Sequence, residues 1–201
     1  MYEVEVKVRA DLDEVRTRLT AADATRLRRV RQVDTYYDAP HRDFGETDEA
    51  LRIRRETVAG VDDNGDCEPT GGSADTETRI AYKGPLVEAE SKTREEFETA
   101  VADGDAVEGL LDGLGFSPAA TVEKDREFRS VDGYTVTLDD VAGVGEFVEV
   151  EREATEANIE SAREGAFAVL RELGLEPDDQ IRTSYLGLLL RSQDMPNDSS
   201  G

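Results

Sequence analysis

Tyr2-Glu3-Val4-Glu5-Val6-Lys7-Val8-Arg9 places a valine at every second position and mostly charged residues between them. A β-strand sends alternate side chains to opposite faces. This stretch therefore has one apolar face and one face carrying Glu3, Glu5 and Lys7. Alone, it fits any antiparallel sheet with one side in water. The pattern recurs along the chain. Arg52 and Arg54 share a face opposite Leu51 and Ile53, and Arg79 and Lys83 share one opposite Ile80 and Tyr82. Arg94, Glu96 and Glu98 lie opposite Phe97, and Glu149 and Glu151 lie opposite Val148 and Val150. Lys124 with Arg126, and Thr137 with Asp139, complete the series.

A merely solvated face would mix Thr, Ser, Gln and Lys freely, whereas Arg, Lys and Glu dominate these faces. Closing the series with its charged faces inward gives an antiparallel barrel with a polar lumen, and its apolar outer faces then need helices over them. Residues 11–22, 105–114, 156–173 and 183–190 have apolar side chains at helical spacing and can supply that cover. The expected class is α+β. Guanidinium groups and carboxylates enclosed together are costly to desolvate unless a ligand uses both. Arg and Lys suit phosphate oxygens, and clustered Glu suits a hard cation such as Mg²⁺ or Mn²⁺. A metal–polyphosphate meets both demands.

The remaining elements follow from local signals. Strands are expected at 24–38, 50–58, 77–83, 93–101, 120–131, 134–138 and 146–153. Asp132-Gly133 marks a tight hairpin between two of them. The Gly/Asp-rich stretch 59–75 reads as a mobile loop, and 191–201 as a disordered tail after one domain over 1–190. Cys67 is the sole cysteine, so an intrachain disulfide and a thiolate cluster are excluded. His41, the sole histidine, follows Pro40 in a loop, which leaves Ser-His hydrolase chemistry without support.

The bulk composition limits the partners. Forty-seven Asp and Glu against 24 Lys and Arg give a formal charge of -23, which opposes nucleic acid and anionic membranes. Only four of the basic residues are Lys and twenty are Arg. So acidic a coat suits solubility in concentrated salt, where screening shortens self-repulsion. With no apolar leader and no run of membrane-spanning length, a cytoplasmic protein is expected. The Leu-rich stretch 186–190 fits helix packing or a homodimer interface equally well.

The motifs resemble those of the CYTH domains, or triphosphate tunnel metalloenzymes. Glu3-x-Glu5-x-Lys7 is similar to their ExExK signature. Gln32-x-Asp34-Thr35-Tyr36-Tyr37-Asp38, Ala50-Leu51-Arg52-Ile53-Arg54, Tyr82-Lys83-Gly84-Pro85, Arg94-x-Glu96-x-Glu98, Lys124-x-Arg126, Asp139, Gly145–Glu151 and Ser184-Tyr185-Leu186 follow in order. The set is most similar to the class IV adenylyl cyclases. The resemblance implies an eight-stranded tunnel and a metal-dependent reaction on a triphosphate, ATP being favoured. It implies that Glu3, Glu5, Glu149 and Glu151 bind Mg²⁺ or Mn²⁺. Phosphates would be held by Lys7, Arg52, Arg54, Lys83, Arg94, Lys124 and Arg126, with Glu96, Glu98 and Asp139 as supporting acids. The catalytic group would be Glu3, Glu5, Lys7, Lys83 and Arg126. Hydrolysis by water, or binding of polyphosphate or nucleotide without turnover, are the alternative readings.

Overall fold

The computed structural model describes residues 2–58, 60–61, 67–68, 76–86 and 94–194. Ten strands occur among them: β1 (Tyr2–Arg9), β2 (Thr25–Asp38), β3 (Ala50–Val58), β4 (Gly60–Val61), β5 (Cys67–Glu68), β6 (Thr76–Leu86), β7 (Arg94–Val101), β8 (Ser117–Val131), β9 (Tyr134–Val141) and β10 (Gly145–Ala154). Five α-helices accompany them: α1 (Leu12–Ala21), α2 (Phe44–Thr47), α3 (Gly104–Gly113), α4 (Ile159–Glu172) and α5 (Tyr185–Asp194). Eight strands close into an antiparallel barrel in the order β1-β10-β9-β8-β2-β3-β6-β7. The expected closure is therefore present. Strands β4 and β5 pair separately, within the stretch read as a loop. The rest of 59–75 and residues 195–201 lie outside the described residues.

The opening motif shows how the barrel sorts its side chains. Val4, Val6 and Val8 are at most 1% exposed, on the outer face under helices. Val6 and Val8 share a core with Leu12, Val15 and Leu19 of α1 and with Ala166, Val169 and Leu170 of α4. Asp11 caps α1 by accepting from the backbone N–H groups of Asp13 and Glu14. Helix α3 packs Leu111 and Val107 against Tyr37, Ile53, Leu51 and Ile80, covering the β2–β3–β6 side. Helix α5 sets Tyr185 beside Phe147, Val122 and Val141.

Local chemistry fixes the turns. Asp132 and Gly133 have φ of 49° and 77°, the paired positive values of a type I′ hairpin between β8 and β9. Gly165 on α4 lies against Tyr134, where an added Cβ would fall 1.9 Å from the tyrosine oxygen. Several bounds differ from those expected. β9 runs on to Val141, because Asp139 and Asp140 stay in register with β10. Helix α5 continues to Asp194, so the chain is helical where a tail was expected from 191. The short α2, capped by Asp43, carried no sequence signal beyond that cap.

Candidate active site

The inner faces of the barrel enclose a cavity of about 330 Å³. Every residue of the expected constellation except Asp139 lines it. Register brings them there. Glu3 lies opposite Glu153 and Arg94, Glu5 opposite Glu151, and Lys7 opposite Glu149. Along β1 the side chains pass from a partly exposed Glu3, at 31%, to a buried Lys7, at 1%. The motif thus runs from the cavity rim into its interior.

Two buried carboxylates organise most of the cations. Asp34 accepts both ends of the Arg54 guanidinium, at 2.6 and 2.7 Å, and lies 3.5 Å from Arg52 and 3.7 Å from Lys124. Burial would raise the Asp34 carboxyl, but Arg54, Arg52 and Lys124 overcome it and hold the group far below the usual range. Asp139 takes the Arg126 guanidinium in the same two-pronged way, at 2.6 and 2.5 Å, and also accepts from the Tyr185 hydroxyl at 2.7 Å. Arg126 reaches Glu149 as well. Asp139 thus stands behind Arg126 rather than in the cavity wall.

Lys124 experiences mainly burial and the neighbouring Arg126 and Arg54, which lower its pKa to about 7. Its ammonium sits 5.0 Å from the centre of the Tyr185 ring, which Lys7 approaches at 4.1 Å. On the other wall Lys83 lies 3.5 Å from Glu3. It also forms an ion pair with Glu96 at 2.6 Å. Arg52 spans to Glu96 and Glu98 at 3.6 and 3.4 Å. Arg94 is committed to Asp48, whose backbone carbonyl and carboxylate it meets at 2.7 and 2.9 Å.

The acidic side of the lumen is only partly compensated: Glu3 and Glu149 have cationic partners, while Glu151 stands among carboxylates. Burial, with Glu3, Glu149 and Glu5 nearby, outweighs the pull of Arg126 and raises Glu151 to about 8. Glu3 is also raised: Lys83 pulls it down, but burial, Glu96 and Glu5 outweigh that pull. Glu5 Oε1 is buried without a hydrogen-bond partner. These oxygens fit a hard divalent cation. Among the described residues, no three His, Cys, Asp or Glu side chains converge as a ready metal cage. Mg²⁺ is commonly held by one or two carboxylates plus substrate phosphates, so a full protein cage is not required. Arg52 Nε is a buried donor without an acceptor, and Gln32 Oε1 a buried acceptor without a donor.

Several lining residues were absent from the expected constellation. Gln32, Tyr36 and Tyr185 appeared only within motifs, as did Asp34, which sits just behind the wall. Arg28, Glu56 and Phe128 carried no motif. Their shared signal is the parity of β2, on which residues 28, 32 and 36 face inward, and of the strands paired with it.

A closed antiparallel barrel with paired cations and carboxylates in its lumen and helices outside defines a polar-tunnel protein. The chain belongs to the CYTH domain family, whose profile matches residues 1–185. It is 33% identical over 190 residues to the Methanocaldococcus jannaschii protein named "Putative adenylate cyclase MJ0240", covering 94% of this chain and 98% of that one. It is also similar to the structure of PH1819 from Pyrococcus horikoshii OT3, with 40% identity, 94% and 98% coverage and a TM-score of 0.81. HpAC1 from Hippeastrum, a protein with a dominant triphosphatase activity, shares the fold at 19% identity, 97% coverage of both chains and a TM-score of 0.62.

Proposed function

We propose that this protein is an adenylyl cyclase that converts ATP to cyclic AMP and pyrophosphate. The carrying observation is that one lumen holds a buried orphan donor, Arg52 Nε, and a buried orphan acceptor, Glu5 Oε1. The first needs an acceptor and the second a donor or a cation, and a metal-bound triphosphate provides both. The relation to the M. jannaschii protein favours cyclisation.

In this reading Arg52, Arg54, Lys83, Lys124 and Arg126 bind phosphate oxygens, with Lys7 and Arg94 at either side. Asp34 and Asp139 hold Arg54 and Arg126 at fixed angles, so little ordering cost remains when substrate binds. Glu3, Glu5, Glu149 and Glu151 would hold Mg²⁺ or Mn²⁺, which when bound neutralises phosphate charge and acidifies the attacking hydroxyl. The ribose 3′-oxygen forms a bond to the α-phosphorus, the bond to the bridging oxygen breaks, and pyrophosphate and a proton leave. Glu96 and Glu98 keep Arg52 and Lys83 oriented toward the substrate.

Hydrolysis is the second reading, because this fold carries a dominant triphosphatase activity in the Hippeastrum protein. Incubation with ATP and Mg²⁺ or Mn²⁺, followed by chromatography, separates the two. Cyclic AMP with pyrophosphate is expected. Orthophosphate without cyclic nucleotide would replace cyclisation by hydrolysis. Tight binding of ATP without turnover would leave a binding module.

A further inference from the structure

Gln32 is fully buried on β2, lines the cavity and faces Glu56 on β3 and Lys124 on β8. Its amide orientation is set by chemistry. The Nε2 group donates to Glu56 Oε2 at 2.6 Å, and a carboxylate accepts only, so the oxygen must point the other way. Glu56 is itself fixed by Arg28, at 2.8 Å. Lys124 is drawn to Asp34. Gln32 Oε1 is therefore a buried acceptor with no partner in the protein.

A phosphate chain cannot satisfy it, since ionised phosphate oxygens only accept. The carboxylates assigned to a cation lie on β1 and β10, across the barrel from β2, so the partner that fits this amide oxygen is an N–H or O–H group. Position along β2 says which part of a ligand that is. Asp34, two residues toward the C-terminus, anchors Arg54 and Lys124. Arg28, toward the N-terminus, lays its guanidinium 4.4 Å from the centre of the Phe128 ring at the cavity wall. Gln32 stands between the cation cluster and this flat pair, in which Arg28 is half-exposed and Phe128 buried.

We infer that Gln32 is a specificity-determining residue. Its amide oxygen accepts a hydrogen bond from a hydroxyl or amine on the non-phosphate end of the substrate, which lies toward Arg28 and Phe128. The substrate is then a nucleoside triphosphate rather than bare tripolyphosphate. This inference rests on the triphosphate reading of the site, and it holds for cyclisation and hydrolysis alike.

The test compares ATP with tripolyphosphate, by turnover and by calorimetric binding in the presence of Mn²⁺. The wild-type protein should prefer ATP by about tenfold or more, because a buried acceptor left unpaired is costly. Gln32→Met, similar in size but without the acceptor, should shrink that ATP-to-tripolyphosphate ratio about tenfold. Equal affinity of the wild type for both ligands would overturn the inference without needing any variant. So would an unchanged ratio in a folded Gln32→Met protein. Absence of turnover with a retained preference in binding would count against the proposed reaction and leave the role of Gln32 standing. Binding of neither ligand would remove the triphosphate reading itself.

Discussion

Lys124 has a consequence for pH. Burial and two guanidinium neighbours bring its pKa to about 7, so the free tunnel loses this charge above that pH. A triphosphate adds negative charge beside it and raises its pKa, so the complex keeps a proton that the free protein has released. Affinity for metal-free tripolyphosphate should therefore fall as pH rises above about 7, with proton uptake on binding at pH about 8. Calorimetry in two buffers of different ionisation enthalpy measures this, and an equal heat in both would refute it. Glu151 works in the opposite sense. Its carboxyl, raised to about 8, must give up a proton to hold a cation. The rise in melting temperature produced by Mn²⁺ should thus grow between pH about 6 and pH about 9. Glu5→Gln removes the charge of a proposed metal ligand at nearly constant volume. It should lower kcat about a hundredfold while the circular dichroism spectrum stays unchanged; full activity would remove Glu5 from the metal site.

At the level of the element, α5 reaches the site through Tyr185, with Leu186 beside it in the cavity lining. The Tyr185 hydroxyl donates to Asp139, which orients Arg126, while its ring lies near Lys7 and Lys124. Tyr185→Phe keeps the ring and loses the hydrogen bond, so a loss of about 1 kcal/mol in stability is expected from denaturant titration. Tyr185→Leu, which loses the ring too, should also raise KM. A change in stability with KM unmoved would make α5 a simple plug. The sequence made some strands far more legible than others. β1 and β10 advertise the lumen most clearly because charge alternates with valine, as Glu3, Glu5 and Lys7 do with Val4, Val6 and Val8. β2 does not: its inner positions are Arg28, Val30, Gln32, Asp34 and Tyr36, while its outer face carries Arg29 and Arg31. A register shift between Arg26 and Arg28 blurs the parity further. Alternation alone therefore missed Asp34, the carboxylate on which three cations converge. Asp139 was found as an acid, but no pattern in sequence shows that it stands behind Arg126, since that contact depends on side-chain reach across strands.

Over the whole molecule, a formal charge of -23 accompanies a lumen that the proposed function assigns to a polyanion. Added salt screens the exposed charges but scarcely reaches the enclosed ion pairs. Raising KCl from about 0.1 M to about 2 M should accordingly raise the melting temperature and speed capture of the anionic substrate. An unchanged or falling melting temperature would show that the acidic surface is not self-repelling. The closure of the barrel has a further effect on how the protein comes into being. Strand β1 pairs along its full length with β10, Lys7 meeting Glu149. Strand β1 is synthesised well before β10, its partner, with most of the barrel lying between them in sequence. Until the two pair, their glutamates are far apart, and long-range closure of this kind is slow. A nascent or truncated chain thus carries the first half of the signature without a lumen to place it in. The chemistry becomes available in one step, when the last strand is stitched to the first.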